Sequence, residues 1–117
     1  KEYSIRVNSG ITSLGSKIMK AVVTDKQIDH IANLLKSMGH PIRYKILCLL
    51  QEEEVSVGEL RSRVETSNSN ISGHLNILRN QGIIEYRKDS NIIYNRISNQ
   101  RISEVLQMLN SLFEHEN

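Results

Sequence analysis

From residue 25 onward the apolar positions repeat at the spacing of one helical face, and near residue 84 the repeat changes to strict alternation. Ile28, Ile31, Ala32, Leu35 and Met38 recur every three or four residues, which predicts a helix capped by Asp25 and stopped at Gly39. His40 and Pro41 begin a second helix, because proline is tolerated where the helix needs no N–H. Its apolar positions are Ile42, Ile46, Leu47, Leu49 and Leu50, and it ends in the acidic run Glu52–Glu54. Val55 suits a very short strand. Ser56 is placed to cap a third helix, with Glu59 at capping-box distance and Val57, Leu60 and Val64 facing inward.

Ser67 caps a fourth helix running to about Arg79, with Ile71, Leu75 and Leu78 on its core side. Gly82 supplies a left-handed stop. Ile84–Lys88 and Ile92–Ile97 then alternate about Asp89, Ser90 and Asn91, which predicts a hairpin. Ser98 or Asn99 opens a last helix carrying Ile102, Val105, Leu106, Leu109, Leu112 and Phe113 at helical spacing. In residues 1–24 the apolar Ile11, Leu14, Ile18 and Met19 also have helical spacing, so a short helix is expected in this N-terminal extension. Residues 25–117 read as one domain, mainly α with a small β-hairpin: the order of a winged helix-turn-helix.

Composition narrows the chemistry. At 117 residues the chain can bury one core, and a body this small invites dimerisation. Its net charge of +2 is too mild to diagnose nucleic-acid binding, so placement must decide. Aromatics are only 4% of residues, without tryptophan, which argues against a stacking platform for single strands. A lone cysteine, Cys48, excludes an internal disulfide and fits a reducing compartment. With no apolar leader or spanning stretch in the sequence, the expected location is cytoplasmic.

The fourth helix has two chemically distinct faces. Opposite its apolar stripe stand Asn68, Ser69, Asn70, Ser72, Gly73, His74 and Asn76. Most are poor helix formers, where a merely solvated face would more usually carry Glu, Lys, Gln and Ala. Asn can pair with an adenine edge, Ser with bases or phosphates, and Gly73 permits close approach. Between Thr66 and Asp89 the only acid is Glu85, which suits a surface facing phosphates. In the hairpin Arg87, Lys88 and Arg96, beside Tyr86 and Tyr94, can reach a DNA backbone or minor groove. The same charges would serve as ordinary protection of an edge strand. Arg43, Lys45, Arg61, Arg63 and Arg79 are weaker phosphate candidates.

The stretches LKSMGHPIRYKILCLL (35–50), VSVGEL (55–60) and SNSNISGHLNILRNQGII (67–84), with the Tyr94 strand, resemble the ArsR/SmtB family of bacterial winged-helix regulators. The resemblance spans about residues 28–114. It implies a homodimer whose first and last helices form the interface, through Ile28, Ile31, Leu35, Ile102, Val105, Leu109, Leu112 and Phe113. It also implies two recognition helices reading successive major grooves of a near-palindromic operator. Those apolar positions would equally serve simple core packing.

Members of that family often sense metals, and here the sequence departs from their patterns. The third-helix thiolate site has no sulfur counterpart in Val55–Glu59. The last-helix site aligns with Asn99, Arg101, Leu112 and His115, of which arginine and leucine ligate no cation. No metal or other cofactor is expected. The nearest subgroup by resemblance is the HlyU, BigR and SqrR type, which uses two cysteines. Cys48 matches one of them, and the second position, near Glu114, is not cysteine. Cys48 is a candidate redox residue only alone or between chains, and otherwise a small buried hydrophobe.

The sequence thus points to a dimeric regulator of transcription, a repressor by expectation, binding double-stranded DNA. The alternative is a protein-interaction module on the same scaffold. An enzyme is not expected, for want of a nucleophile with its base, a phosphate-cradling loop or a framed carboxylate pair.

Overall fold

A computed structural model describes the backbone of residues 1–12, 15–64 and 68–114, and the side chains of residues 1–7, 21–64 and 70–114. The chain divides into two units, Lys1–Asn33 and Leu34–Asn117, with the boundary inside a helix.

In the first unit, strands β1 (Glu2–Thr12) and β2 (Gly15–Thr24) form an antiparallel hairpin with a register irregularity between Asn8 and Ile11. The short helix expected within residues 1–24 is therefore corrected to strands. The stronger local signal is the alternation of Tyr3, Ile5 and Val7 with Glu2, Ser4 and Arg6, together with β-branched Val22 and Val23. Leu14, one of the four residues behind the helical reading, lies outside the described residues.

Helix α1 (Asp25–Met38) follows at once. Its cap is Thr24 rather than Asp25. The Gln27 amide N–H donates to Thr24 Oγ1 (3.2 Å) and the Thr24 amide N–H donates to Gln27 Oε1 (2.8 Å), a reciprocal capping box. Asp25 sits in the first turn, where its negative charge complements the helix dipole.

The second unit is built around α2 (Pro41–Glu52), α3 (Val57–Val64), α4 (Asn68–Asn80) and α5 (Gln100–Phe113). A three-stranded sheet completes it, in the order β3 (Val55–Ser56), β5 (Ile92–Ile97), β4 (Ile84–Asp89), all antiparallel. Leu47, Leu60, Ile71, Leu78 and Leu106 are fully buried in one core, joined by Met38 from the end of α1 and Ile83 and Ile84 from the start of the wing. The predicted stripe of α4 is confirmed: Ile71, Leu75 and Leu78 are all buried.

Local signals place the ends of these elements. His40 caps α2, its Nδ1 accepting from the Ile42 amide N–H (3.1 Å) ahead of Pro41 at the first helical position. Ser56 Oγ accepts from the Glu59 amide N–H (3.1 Å) at the head of α3. Asn99, rather than Ser98, caps α5 by accepting from the Ile102 amide N–H (3.2 Å). At the end of α4, Gly82 takes φ +71° while the Gly82 and Ile83 amides donate to the Arg79 and Leu78 carbonyls. That paired arrangement closes a helix and needs a residue tolerant of positive φ. The wing turn is tighter than expected: Asp89 pairs with Ile92, so only Ser90 and Asn91 lie between the strands.

The predicted interface residues divide. Ile102 is 8% exposed and belongs to the core, which corrects its assignment to a dimer seam. It stands in the first turn of α5, a helix that packs against β5 and α2, and joins the cluster of buried residues. Ile28, Ile31, Leu35, Val105, Leu112 and Phe113 stay exposed, and Leu109 is half-buried. Met108, which the sequence reading passed over, is 67% exposed and extends the bare apolar face of α5.

Candidate nucleic-acid interface

With Ile71, Leu75 and Leu78 inward, the helical period turns Asn70, Ser72, Gly73 and Asn76 outward, and all four are exposed. A methyl group built on Gly73 would meet nothing within 4 Å, so this part of the helix surface is open. Asn68 and Ser69 open α4, and their side chains lie outside the described residues. Ile77, 40% exposed, shares the outward stripe one turn beyond Gly73. The sequence reading missed it, although an apolar residue off the 71-75-78 stripe was visible in the spacing. An exposed aliphatic side chain among amides is suited to contact a thymine methyl group.

His74 differs from its neighbours. Its half-buried ring turns toward α2, with the His40 ring centroid at 4.6 Å and Arg43 Nη1 at 3.3 Å from its Nδ1. Burial, then His40 and Arg43, hold its pKa below the ordinary imidazole value. Arg43 also donates from Nε to the Ser37 carbonyl (2.6 Å). The structure thus gathers Arg43 and His74 into one cluster that their sequence separation conceals.

Arg79 links the outward helix to the wing. Its Nε and Nη2 both donate to Oδ1 of Asn95 (3.2 and 2.8 Å), a fully buried residue on β5. Its Nη1 donates to Asn76 Oδ1 (3.4 Å), and its guanidinium lies 4.9 Å from the Tyr86 ring centroid. Asn95 was not singled out in the sequence. A lone asparagine inside an alternating strand was the available signal.

The wing cations are mostly engaged. Arg87 donates to both carboxylate oxygens of Glu54 (2.6–3.0 Å), stands 3.7 Å from Asp89 and stacks over Tyr94 at 4.6 Å. The Arg87 hydrogen bond keeps the Glu54 carboxyl below its usual range. Arg96 Nε donates to Glu85 (2.8 Å), and Arg63 pairs with Glu53 at 3.5 Å. Lys88 is exposed and has no ion-pair partner among the described residues. Arg61 lines a hollow with Ser56, Gly58, Asn91 and Ile93, and its buried Nε has no hydrogen-bond partner among the described residues.

Cys48 is half-buried between α2 and α5. Asn110 Nδ2 lies 3.8 Å from its sulfur and donates to Gln51, while Tyr44 Oη donates to Asn110 (2.7 Å). Burial and the nearby Cys48 raise the Tyr44 hydroxyl pKa. The residues aligned with the last-helix metal site do not fit a cation: Asn99 is used as a cap, and Arg101 and Leu112 are not ligands. His115 is outside the described residues. Among the described residues, no helix is long and apolar enough to cross a membrane.

Comparison with known proteins agrees with this geometry. Residues 40–86 match the model of "Bacterial regulatory protein, arsR family". The chain is 34% identical over 89 residues to the biofilm growth-associated repressor of Xylella fastidiosa, covering 76% of this chain and 78% of that protein. It is 39% identical over 80 residues to the transcriptional activator HlyU of Vibrio cholerae, covering 68% and 74%. The solved structure of HlyU from Vibrio cholerae superposes with a TM-score of 0.74 at 35% identity, over 79% of this chain and all of that one. An exposed amide-and-hydroxyl helix braced against a basic hairpin, in a chain so related, leads to one conclusion: the protein belongs to the arsR family and is a winged helix-turn-helix, DNA-binding transcriptional regulator.

Proposed function

We propose that two copies of this chain pair through the bare apolar faces of α1 and α5 and repress transcription from a near-palindromic operator. In this reading α4 of each copy enters a major groove. Asn70, Ser72 and Asn76 read base edges, Ile77 contacts a thymine methyl, and Lys88 meets the backbone beside the wing. The observation that carries the proposal is the outward face of α4, polar yet uncharged and open at Gly73. Exposed Val105, Met108, Leu112 and Phe113 on α5 support the pairing, because so contiguous an apolar strip is rare on a monomer. The half-sites would lie about 10 base pairs, or a multiple, apart.

The test is selection of bound duplexes from a random pool, followed by titration of the selected and a scrambled duplex. Asn70→Ala and Ser72→Ala should weaken the selected duplex by roughly 1–3 kcal/mol each and leave the scrambled one nearly unchanged. Lys88→Ala should weaken both and reduce the salt slope by about 0.9. Failure to enrich any sequence, with salt-insensitive affinity, would instead favour a protein-interaction module.

A further inference from the structure

We propose that Arg43 and His74, with the His40 ring packed beside them, form a seat for one backbone phosphate, and that filling it draws a proton onto the His74 imidazole, so that DNA binding strengthens on acidification. The proposal rests on the DNA-binding reading and adds to it a site and a regulating ion.

The cluster is built from two helices. His40 caps α2 through Nδ1, which accepts from the Ile42 amide N–H. Arg43 stands one turn along, and His74 reaches it from α4. A guanidinium only donates, so Nδ1 of His74 accepts from it and is unprotonated. Each ring therefore spends its Nδ1 as an acceptor and keeps its proton on Nε2.

Among the described residues, no carboxylate is bonded to the cluster. The charged or titratable groups acting on His74 are His40 and Arg43. On α3, Arg63 is paired with Glu53, and Arg61 lines a hollow with Ser56, Asn91 and Ile93. On the wing, Glu85 holds Arg96, while Glu54 and Asp89 flank Arg87. Arg63, Arg87 and Arg96 all have carboxylates, and Arg43 has instead a carbonyl and the His74 imidazole, with the His40 ring packed on His74. One cation beside an imidazole, with no carboxylate bonded to it among the described residues, is arranged for an anion supplied from outside. In the DNA-binding reading a phosphate is the anion at hand, because His74 stands on the same helix as the outward residues Ser72, Gly73 and Asn76.

The linkage follows. Without an anion, protonating the His74 ring sets cation against cation and turns an acceptor toward a donor. A phosphate over the cluster reverses the first effect and raises the His74 pKa. Affinity then rises as pH falls, by up to about tenfold per pH unit for each proton taken up.

The experiment measures affinity of the full chain for the selected duplex from pH 7.5 to 5.5 at constant ionic strength. Calorimetry in buffers of different ionisation heat counts the protons absorbed. The expected result is stronger binding at low pH with net proton uptake, flattened in His74→Gln and in His40→Asn and retained in His30→Gln. Asparagine is itself a good cap, so His40→Asn keeps α2 folded, and circular dichroism checks this. Absence of proton uptake, or a pH slope that survives both substitutions, would overturn the seat while leaving DNA binding standing. No binding to any duplex at any pH would overturn the regulator reading as well.

Discussion

Arg79→Ala removes the only hydrogen-bond partner, among the described residues, of a buried amide and tests how the outward helix is fixed to its wing. Asn95 is wholly enclosed; its Oδ1 accepts twice from Arg79, and its Nδ2 has no partner among the described residues. Without the guanidinium the whole amide would be buried unsatisfied. Hydrogen bonds to a charged group contribute about 1.5–3 kcal/mol, and the cation over Tyr86 adds about 0.5–1 kcal/mol at a half-exposed site. The substitution should therefore cost about 2–4 kcal/mol. Urea denaturation at fixed protein concentration reads this as a lower midpoint at unchanged slope. The double change Arg79→Met with Asn95→Leu should recover most of the loss, because it removes donor and acceptor together. A loss below about 0.5 kcal/mol for Arg79→Ala, or a double change as damaging as the sum of its parts, would refute this account of the joint.

Three other outcomes are expected. Glu54→Gln should release Arg87 and raise affinity for scrambled DNA with a steeper salt dependence, read by fluorescence anisotropy. Leu112→Lys together with Val105→Lys should shift the chain to monomer in sedimentation while leaving its helical circular dichroism intact. Folded stability should decline with acidification through His74, whose pKa lies below the ordinary 6.5: its contribution is full above that value and is lost as pH falls through the lower, folded one. Thermal unfolding of the DNA-free chain from pH 7.5 to 5 should show the decline, less steep in His74→Gln.

Periodicity made most of the second unit legible. The stripe of Ile71, Leu75 and Leu78 and the stop at Gly82 are local signals that packing reinforces. Two errors came from competition between local signals. Helical spacing in residues 1–24 outweighed the alternation of Tyr3, Ile5 and Val7, and Asp25 outweighed the capping pair Thr24 and Gln27. The composition of the outward face could be read from α4 alone, but its attachments could not. Arg79 with Asn95, Arg87 with Glu54 and Arg43 with His74 are each separated by 16 to 33 residues and meet only once the chain is folded. Ile102 shows the same limit, since spacing cannot tell which apolar residue on a helix meets its own core and which meets a second copy.

The carboxylates set against the wing arginines bear on how the regulator finds its target. A cation already satisfied by Glu54 or Glu85 releases few condensed counterions when it reaches a duplex. Tallying arginines in the hairpin thus overstates the grip on arbitrary sequence, where Lys88 is the residue with a charge in hand. Loose residence on wrong sites shortens each sampling event, so a scarce molecule can visit more of a chromosome before it settles.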